Sequence, residues 1–369
     1  MAWACACLDM LGRPLSDAIS RAVLRHIDLY YVQRVAPAPT DFVMDILGVI
    51  WAFNFAAMLS MDFYWAVRKI LVEIGREIDQ QQKSAWSGEV GDGRLREGFR
   101  TFGVPHVELD LPDRFVVHKP PGWEVDTIAF DNGKPHHLSR YLQRVLGSPL
   151  AYDVTHTYGL LHRLDIPSSG LVLAAKTCEA YYDLQLQLSV GDLVRDYVVL
   201  CHGLLPSSCQ EINERVYFWC HEGNLPSIVC RKGKPSLTWL KVVAHCSREA
   251  EDFSLVAIRI RTGRRHQIRT HMMHIGHPIV CDGKYTNASV FLKDMEWCER
   301  NFLHRYRLSF FDQDGDVHEA MTPLPSDLVQ ALASLVPRTT ESAVALREWM
   351  SGAALRDWAK FVLLGDASR

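Results

Sequence analysis

The sequence predicts a mixed α+β domain preceded by a helical N-terminal region. Three observations lead there. Residues 1 to about 100 carry apolar positions at three-and-four spacing. Residues from about 105 to 336 alternate short β-rich runs with helical runs. The tail from Thr339 onward reads as helical again. A chain of 369 residues can bury a sizeable core, and its length suggests two or three domains. With 48% hydrophobic and 22% charged residues it is neither disordered nor fibrous. The net charge of -3 argues against a general nucleic-acid binder, yet says little about one basic cleft.

In the N-terminal region a first helix is expected near Leu15–Val32, interrupted by Pro37 and Pro39. The longest uncharged run, Ile46 to Met61, is short for a membrane span and contains Asn54, so a buried helix is the expectation. Within it, ILGVIWAFNFAAML (46–59) is similar to repeat units of helical organellar RNA-binding arrays. One such unit cannot bury its own face. A helical hairpin packed on the next domain is therefore expected. Ile70, Leu71, Ile74 and Ile78 form the apolar stripe of a further helix, and QQQKSAWSGEVGDGRLREG (80–98) reads as a linker. The start of the chain shows no basic region before an apolar stretch, so no secretory signal is expected. Ten scattered cysteines without a Cys-x-x-Cys pair suit reduced thiols inside a cell, in the cytoplasm or in an organelle such as the mitochondrion or plastid.

In the central region Phe115–His118 reads as a strand ending in the Lys119-Pro120-Pro121-Gly122 turn. Leu171–Ala175 and Tyr197–Leu200 read as buried strands. From Phe253 to Arg261 the chain alternates, with Ile258 and Ile260 facing one way and Arg259 and Arg261 the other. A helix follows with Ile268, Met272 and Ile275 on one face, stopped by Gly276 and Pro278.

Three segments carry chemistry. In LHRLDIPSSGLVLAAKT (161–177), Asp165 stands between the cation Arg163 and a Pro-Ser-Ser-Gly turn. A turn can hold the backbone rigid while the carboxylate projects, and a nearby guanidinium favours its ionised form. From spacing alone a turn-capping Asp beside a surface Arg is the favoured reading, since Asp is common in turns. In IRIRTGRRHQIRTHMMHIGHPIVCDGKY (258–285), Arg259, Arg261, Arg264, Arg265 and Arg269 crowd into eleven positions with His266 among them, which suggests phosphate contact. His266, His271, His274 and His277 find no carboxylate or thiol to complete a metal set, so no metal is expected. In RDYVVLCHG (195–203), Tyr197 opens an apolar strand, where an aromatic either packs in the core or stacks on a base.

Together these segments resemble the RluA-like RNA pseudouridine synthases. His162-Arg163-Leu164-Asp165, Ser169-Gly170 and Ala175-Lys176 match that family's catalytic segment. Arg195-Asp196-Tyr197 matches its Lys/Arg-x-Tyr strand. Gly263 to Ile279 matches its Gly-Arg-x-His-Gln-Ile-Arg-x-His…Gly-His-Pro-Ile run, and Val116 to Gly122 its Val-Val-x-Lys-Pro-x-Gly element, with His118 where Asn is usual. Position 265 is Arg and position 168 Ser where Thr is frequent. The resemblance implies a mainly antiparallel sheet with flanking helices and a central catalytic cleft, over residues 105–336. Residues 1–100 and 337–369 are then a helical N-terminal region with linker and a C-terminal helical tail. It implies isomerisation of specific uridines in ribosomal, transfer or messenger RNA by a flipped-base mechanism. It also implies roles for particular residues. Asp165 is the catalytic carboxylate. Arg163 fills the place the base leaves. Tyr197 packs against the target base, and Arg269 pairs with the carboxylate. Arg264, Arg265, His266 and Lys119 are the candidates for other RNA contacts. No cofactor is implied, because the reaction neither changes redox state nor imports a group. A monomer that does not engage membranes is expected. Two other classes share some features: an RNA chaperone on the same fold, and an aspartate-nucleophile hydrolase.

Overall fold

The computed structural model describes residues 2–7, 10–33, 40–85, 103–125, 136–219, 225–355, 357–361 and 364. Four helices come first: α1 (Ala2–Cys7), α2 (Arg13–Gln33), α3 (Thr40–Phe55) and α4 (Met61–Ala85). The expected linker therefore starts later, because Gln80 to Ala85 still belong to α4. Its remaining residues, like Pro37 and Pro39, lie outside the described residues. Among the described residues no helix is long and apolar enough to cross a membrane.

The sheet is built from β1 (His106–Asp110), β2 (Arg114–Lys119), β3 (Ser169–Ala175), β4 (Val194–His202), β5 (Glu211–Asn213), β8 (Leu237–Arg248), β9 (Glu251–Ile260), β10 (Leu303–Phe311), β11 (Val317–Met321) and β12 (Val336–Pro337). The two-residue strands β6 (Val216–Tyr217) and β7 (Ile228–Val229) pair apart from it. The spatial order is β1-β2-β3-β10-β4-β9-β8-β12, with β11 on β10 and β5 on β8. Among the described strands only β3 and β10 run parallel, at His304 opposite Ser169 and Arg305 opposite Gly170. Helices α5 (Leu138–Val145), α6 (Cys178–Val190), α7 (Gln267–His274), α8 (Ala288–Met295), α9 (Ser326–Ala333) and α10 (Thr340–Ser351) flank it.

Side chains of β2 and β3 alternate between two core clusters. Phe115, Val117, Val172 and Ala174 enter one, while Val116, Leu171, Leu173 and Ala175 enter the other. Both faces are covered there, which is why 171–175 reads as an unbroken apolar run. The second cluster is completed by α6 and the N-terminal helices, through Ile46, Ile50, Phe53, Ile70, Leu71 and Ile74. The expected helical hairpin is thus α3–α4, seated on α6.

Polar contacts hold this seat. Asp79 of α4 accepts the backbone N–H groups of Cys178 and Glu179 at 2.8 and 3.1 Å, capping the start of α6. Asn54 of α3 donates to the Val190 carbonyl at the other end of α6, 2.8 Å away. Buried Asp183 joins Arg68 and Arg114 at 3.0 Å each. The tail also packs on the sheet. Trp349 of α10 stacks on Phe361 and meets Tyr306 edge-on, and Leu346, Trp349 and Leu364 belong to the first cluster. After α10 only a short 3-10 turn, Trp358–Lys360, is helical among the described residues.

Gly170 lies at the crossing of β3 and β10 with φ +120°, a conformation that L side chains rarely adopt. An added Cβ would collide with the Arg305 carbonyl and come within 2.6 Å of its amide nitrogen. Gly170→Ala is expected to destabilise the protein by about 3 kcal/mol or more, from strain and overpacking together. Equilibrium denaturation measures this, and wild-type stability would show that the parallel crossing is misplaced.

Candidate active site

Asp165 sits on the loop that leads into β3, and the loop is tied from several sides. Its backbone closes a turn through Ser168 N–H to the Asp165 carbonyl at 3.0 Å. The Arg163 carbonyl accepts from Arg305 at 3.2 Å, and the Pro167 carbonyl from Arg300 at 3.2 Å. The Ile166 carbonyl accepts from the Gly122 N–H at 2.8 Å and from Lys119 Nζ at 3.3 Å. Lys119 is therefore a correction. It is fully buried at the end of β2 and donates inward to Pro120, Trp123 and Ile166 carbonyls, so it braces the loop and is closed to RNA. A strand-end lysine looks exposed in sequence because nothing local reveals which loop will cover it.

The Asp165 carboxylate accepts a hydrogen bond from Arg269 Nη1 at 2.8 Å, and His266 Nε2 lies 3.9 Å from its other oxygen. Burial pushes its pKa up, but Arg269, then His266, and Arg163 outweigh that and hold it below the usual carboxylate value. Arg269 rises from α7 and makes a two-pronged pair with buried Asp282, at 2.7 and 2.6 Å. Its guanidinium also lies 5.0 Å from the Tyr285 ring centre. Tyr285 hydroxyl in turn meets His266 Nδ1 at 3.0 Å, Thr270 Oγ1 at 3.1 Å and the Ser227 carbonyl at 3.2 Å. Burial lowers the His266 pKa to about 4 against the pull of Asp165, so the imidazole is neutral near pH 7.

Tyr197, on β4, is buried with its hydroxyl bonded to Arg305 of β10, whose guanidinium lies 4.8 Å from the ring centre. Arg305 also reaches His162 Nδ1 at 2.7 Å and the Leu171 carbonyl at 2.9 Å. One buried cation thus links the tyrosine, the Asp165 loop and β3.

These groups surround a cleft of about 760 Å³. Asp165, Arg163, Tyr197, Arg269, Arg264, Arg265 and His266 all line it. Asp165 is the only acidic side chain among the described residues of its wall, against seven arginines and Lys234. The histidines weighed as metal ligands do not converge. His271 is engaged by Thr238 and the Glu214 carbonyl, and His277 by the His202 carbonyl.

Sequence reasoning missed Asp282 and Arg305. Asp282 follows the Gly-His-Pro-Ile run too closely to stand out from a turn acid. Arg305 did leave a signal, an arginine within the strand LHRYRLSFF (303–311), every residue of which but the last is buried.

Residues 113–274 match the family model described as RNA pseudouridylate synthase. The chain is 30% identical over 228 residues to an uncharacterised RNA pseudouridine synthase of Bacillus subtilis, covering 62% of this chain and 69% of that one. It belongs to the RluA-like RNA pseudouridine synthases. The synthase is also 25% identical over 304 residues to ribosomal large subunit pseudouridine synthase D of Yersinia pestis, covering 75% of this chain and 86% of that one. Human RNA pseudouridylate synthase domain containing 1 has a similar fold, with a TM-score of 0.51 at 23% identity, covering 70% of this chain and 97% of that one. The synthase is an isomerase that converts uridine in RNA to pseudouridine. The family match begins at residue 113, so the four N-terminal helices lie outside it.

Proposed function

We propose that the synthase modifies ribosomal RNA, with Asp165 as its catalytic carboxylate. The observation that carries the assignment is Asp165, paired with Arg269, as the only acid among the described residues of a wall of cations. The cations attract the phosphates of an RNA strand, and the strand brings its uridine to the carboxylate. Exposed Arg163, two residues before Asp165, occupies the space left when the base turns out, offsetting part of an extrusion cost of a few kcal/mol. Tyr197 packs against the extruded uracil, held in place by Arg305. The carboxylate then attacks C1′ or C6, or promotes glycosidic cleavage through a glycal. In each route the uracil is rotated and rejoined through C5, and a proton leaves C5. Arg269, anchored by Asp282, keeps the carboxylate charged and aimed.

The name of the Yersinia pestis relative supports ribosomal RNA as the substrate. Free cysteines throughout the described residues support a reducing compartment within the cell. Pseudouridine mapping in cells with and without the gene tests the substrate. Loss of signal at one or a few ribosomal uridines is expected. Loss confined to transfer or messenger RNA overturns the ribosomal assignment.

A pH profile tests the charge state. The depressed Asp165 pKa places its charge above the unfolded value of about 4, and the charge is lost only as pH falls through the lower folded value. His266, titrating near 4, adds nothing above that. The single-turnover rate should be flat from about pH 5 to about pH 7. The stability contributed by the Asp165 pair should likewise disappear only at more acid pH. A rate that titrates with a midpoint near 6 would reject an ionised Asp165 held by Arg269.

A further inference from the structure

Helix α3 carries two apolar stripes. Val43, Ile46, Leu47, Ile50 and Phe53 enter the core. Met44, Gly48, Trp51 and Phe55 recur at the same three-and-four spacing on a second line, so they share another face. This second face is not covered like the first. Met44 is 63% and Phe55 44% exposed, and a Cβ added at Gly48 would meet nothing within 4 Å. A glycine in the middle of a helix weakens it, and close packing is not the reason here. Gly48 instead leaves a notch between Met44 and Trp51. Both of those residues line the cleft that holds Asp165. Trp51 is braced by the Phe55 ring, stacked at 5.1 Å and 10°, and by the Arg264 guanidinium at 5.5 Å. The helix is pinned to the synthase domain through Asn54 and the end of α6.

We infer that the Met44–Gly48–Trp51 ledge of α3 is a second RNA-contact surface, which packs a base of an unpaired nucleotide flanking the target uridine. The inference rests on the RNA-cleft reading of the proposed function. Three features select this occupant. The ledge is continuous with the cleft, it is apolar and aromatic, and it is bordered by Arg264, with Lys234 in the same wall. A basic groove that tracks phosphates beside an aromatic surface that receives bases is the combination single strands require. It also gives the N-terminal helices, which lie outside the family match, a part in selecting unpaired sequence around the target.

The test measures binding and turnover of an unstructured single-stranded oligoribonucleotide with one central uridine, against the full chain. Trp51→Ala should weaken binding about tenfold, with single-turnover rate at saturating RNA near wild type, and Trp51→Tyr should restore most of the loss. Gly48→Leu projects into the notch from a position where an added Cβ meets nothing within 4 Å, and it removes a mid-helix glycine, so it should melt at or above the wild-type temperature and still weaken binding. The Trp51→Ala penalty should vanish when the flanking nucleotide is made abasic, which a merely structural role would not produce. If Gly48→Leu melts at or above the wild-type temperature and both variants bind like wild type, the ledge has no role in RNA contact. If the wild type binds the oligonucleotide with the Trp51 dependence described but Asp165→Asn retains full turnover on cellular RNA, the catalytic assignment fails while the ledge stands.

Discussion

Asp165→Asn is expected to abolish pseudouridine formation, by about 10⁴-fold or more, while RNA binding stays near wild type. Asparagine keeps the shape and can still accept a hydrogen bond from Arg269, but it carries no charge and is a poor nucleophile. Arg269 is not stranded by the change, because both prongs of its pair with Asp282 remain. The loop is held by Arg300, Arg305, Lys119 and the Gly122 amide, which contact backbone carbonyls and do not depend on the carboxylate. Folding should therefore change little. The measurement is single-turnover pseudouridine formation on the RNA mapped in cells, beside a binding assay. A residual rate within tenfold of wild type would remove Asp165 from the chemistry and place the catalytic group elsewhere in the cleft.

Arg269→Ala should fail more broadly. Arg269 is buried between two acids, Asp165 and Asp282, and burial opposes its charge while those acids raise its proton affinity. Truncation leaves the buried Asp282 carboxylate without its cation, and such losses cost about 3–5 kcal/mol. For a protein of this size the expected fall in melting temperature is about 5 °C. Turnover should be lost as well, because Asp165 would be neither aimed nor held ionised. Arg269→Lys should not rescue, since an ammonium cannot reproduce the two-pronged fork. Combining Arg269→Ala with Asp282→Asn separates the effects. The double variant should recover part of the stability and none of the activity. Wild-type melting and rate in Arg269→Ala would show that this triad is absent in solution.

Much of the site was legible because its residues lie close in sequence to turns. Asp165 stands before a Pro-Ser-Ser-Gly turn, and Arg264, Arg265, His266 and Arg269 flank the turn and start of α7. The alternation in β9 and the stop at Gly276, with φ +84°, follow from local rules of period and backbone freedom. Lys119 was misjudged for the opposite reason. Its surroundings come from residues 166 and 123, brought over it by the fold, and a lysine with three carbonyl partners can be buried where a solvated one cannot. Asp282 and Arg305 were overlooked on the same ground, since each acts through a partner more than ten positions away.

By itself, then, the sequence determined the α+β class, the membership of the synthase family and which carboxylate to propose for the chemistry. These depend on periodicity and on ordered local motifs, which neighbouring residues set among themselves. The tertiary structure decided that Arg269 is shared with Asp282, that Lys119 faces inward, and that α3 brings Met44 and Trp51 to the cleft wall. Burial and charge pairing belong to whatever surfaces the chain folds against each other, and no window of local sequence contains both partners.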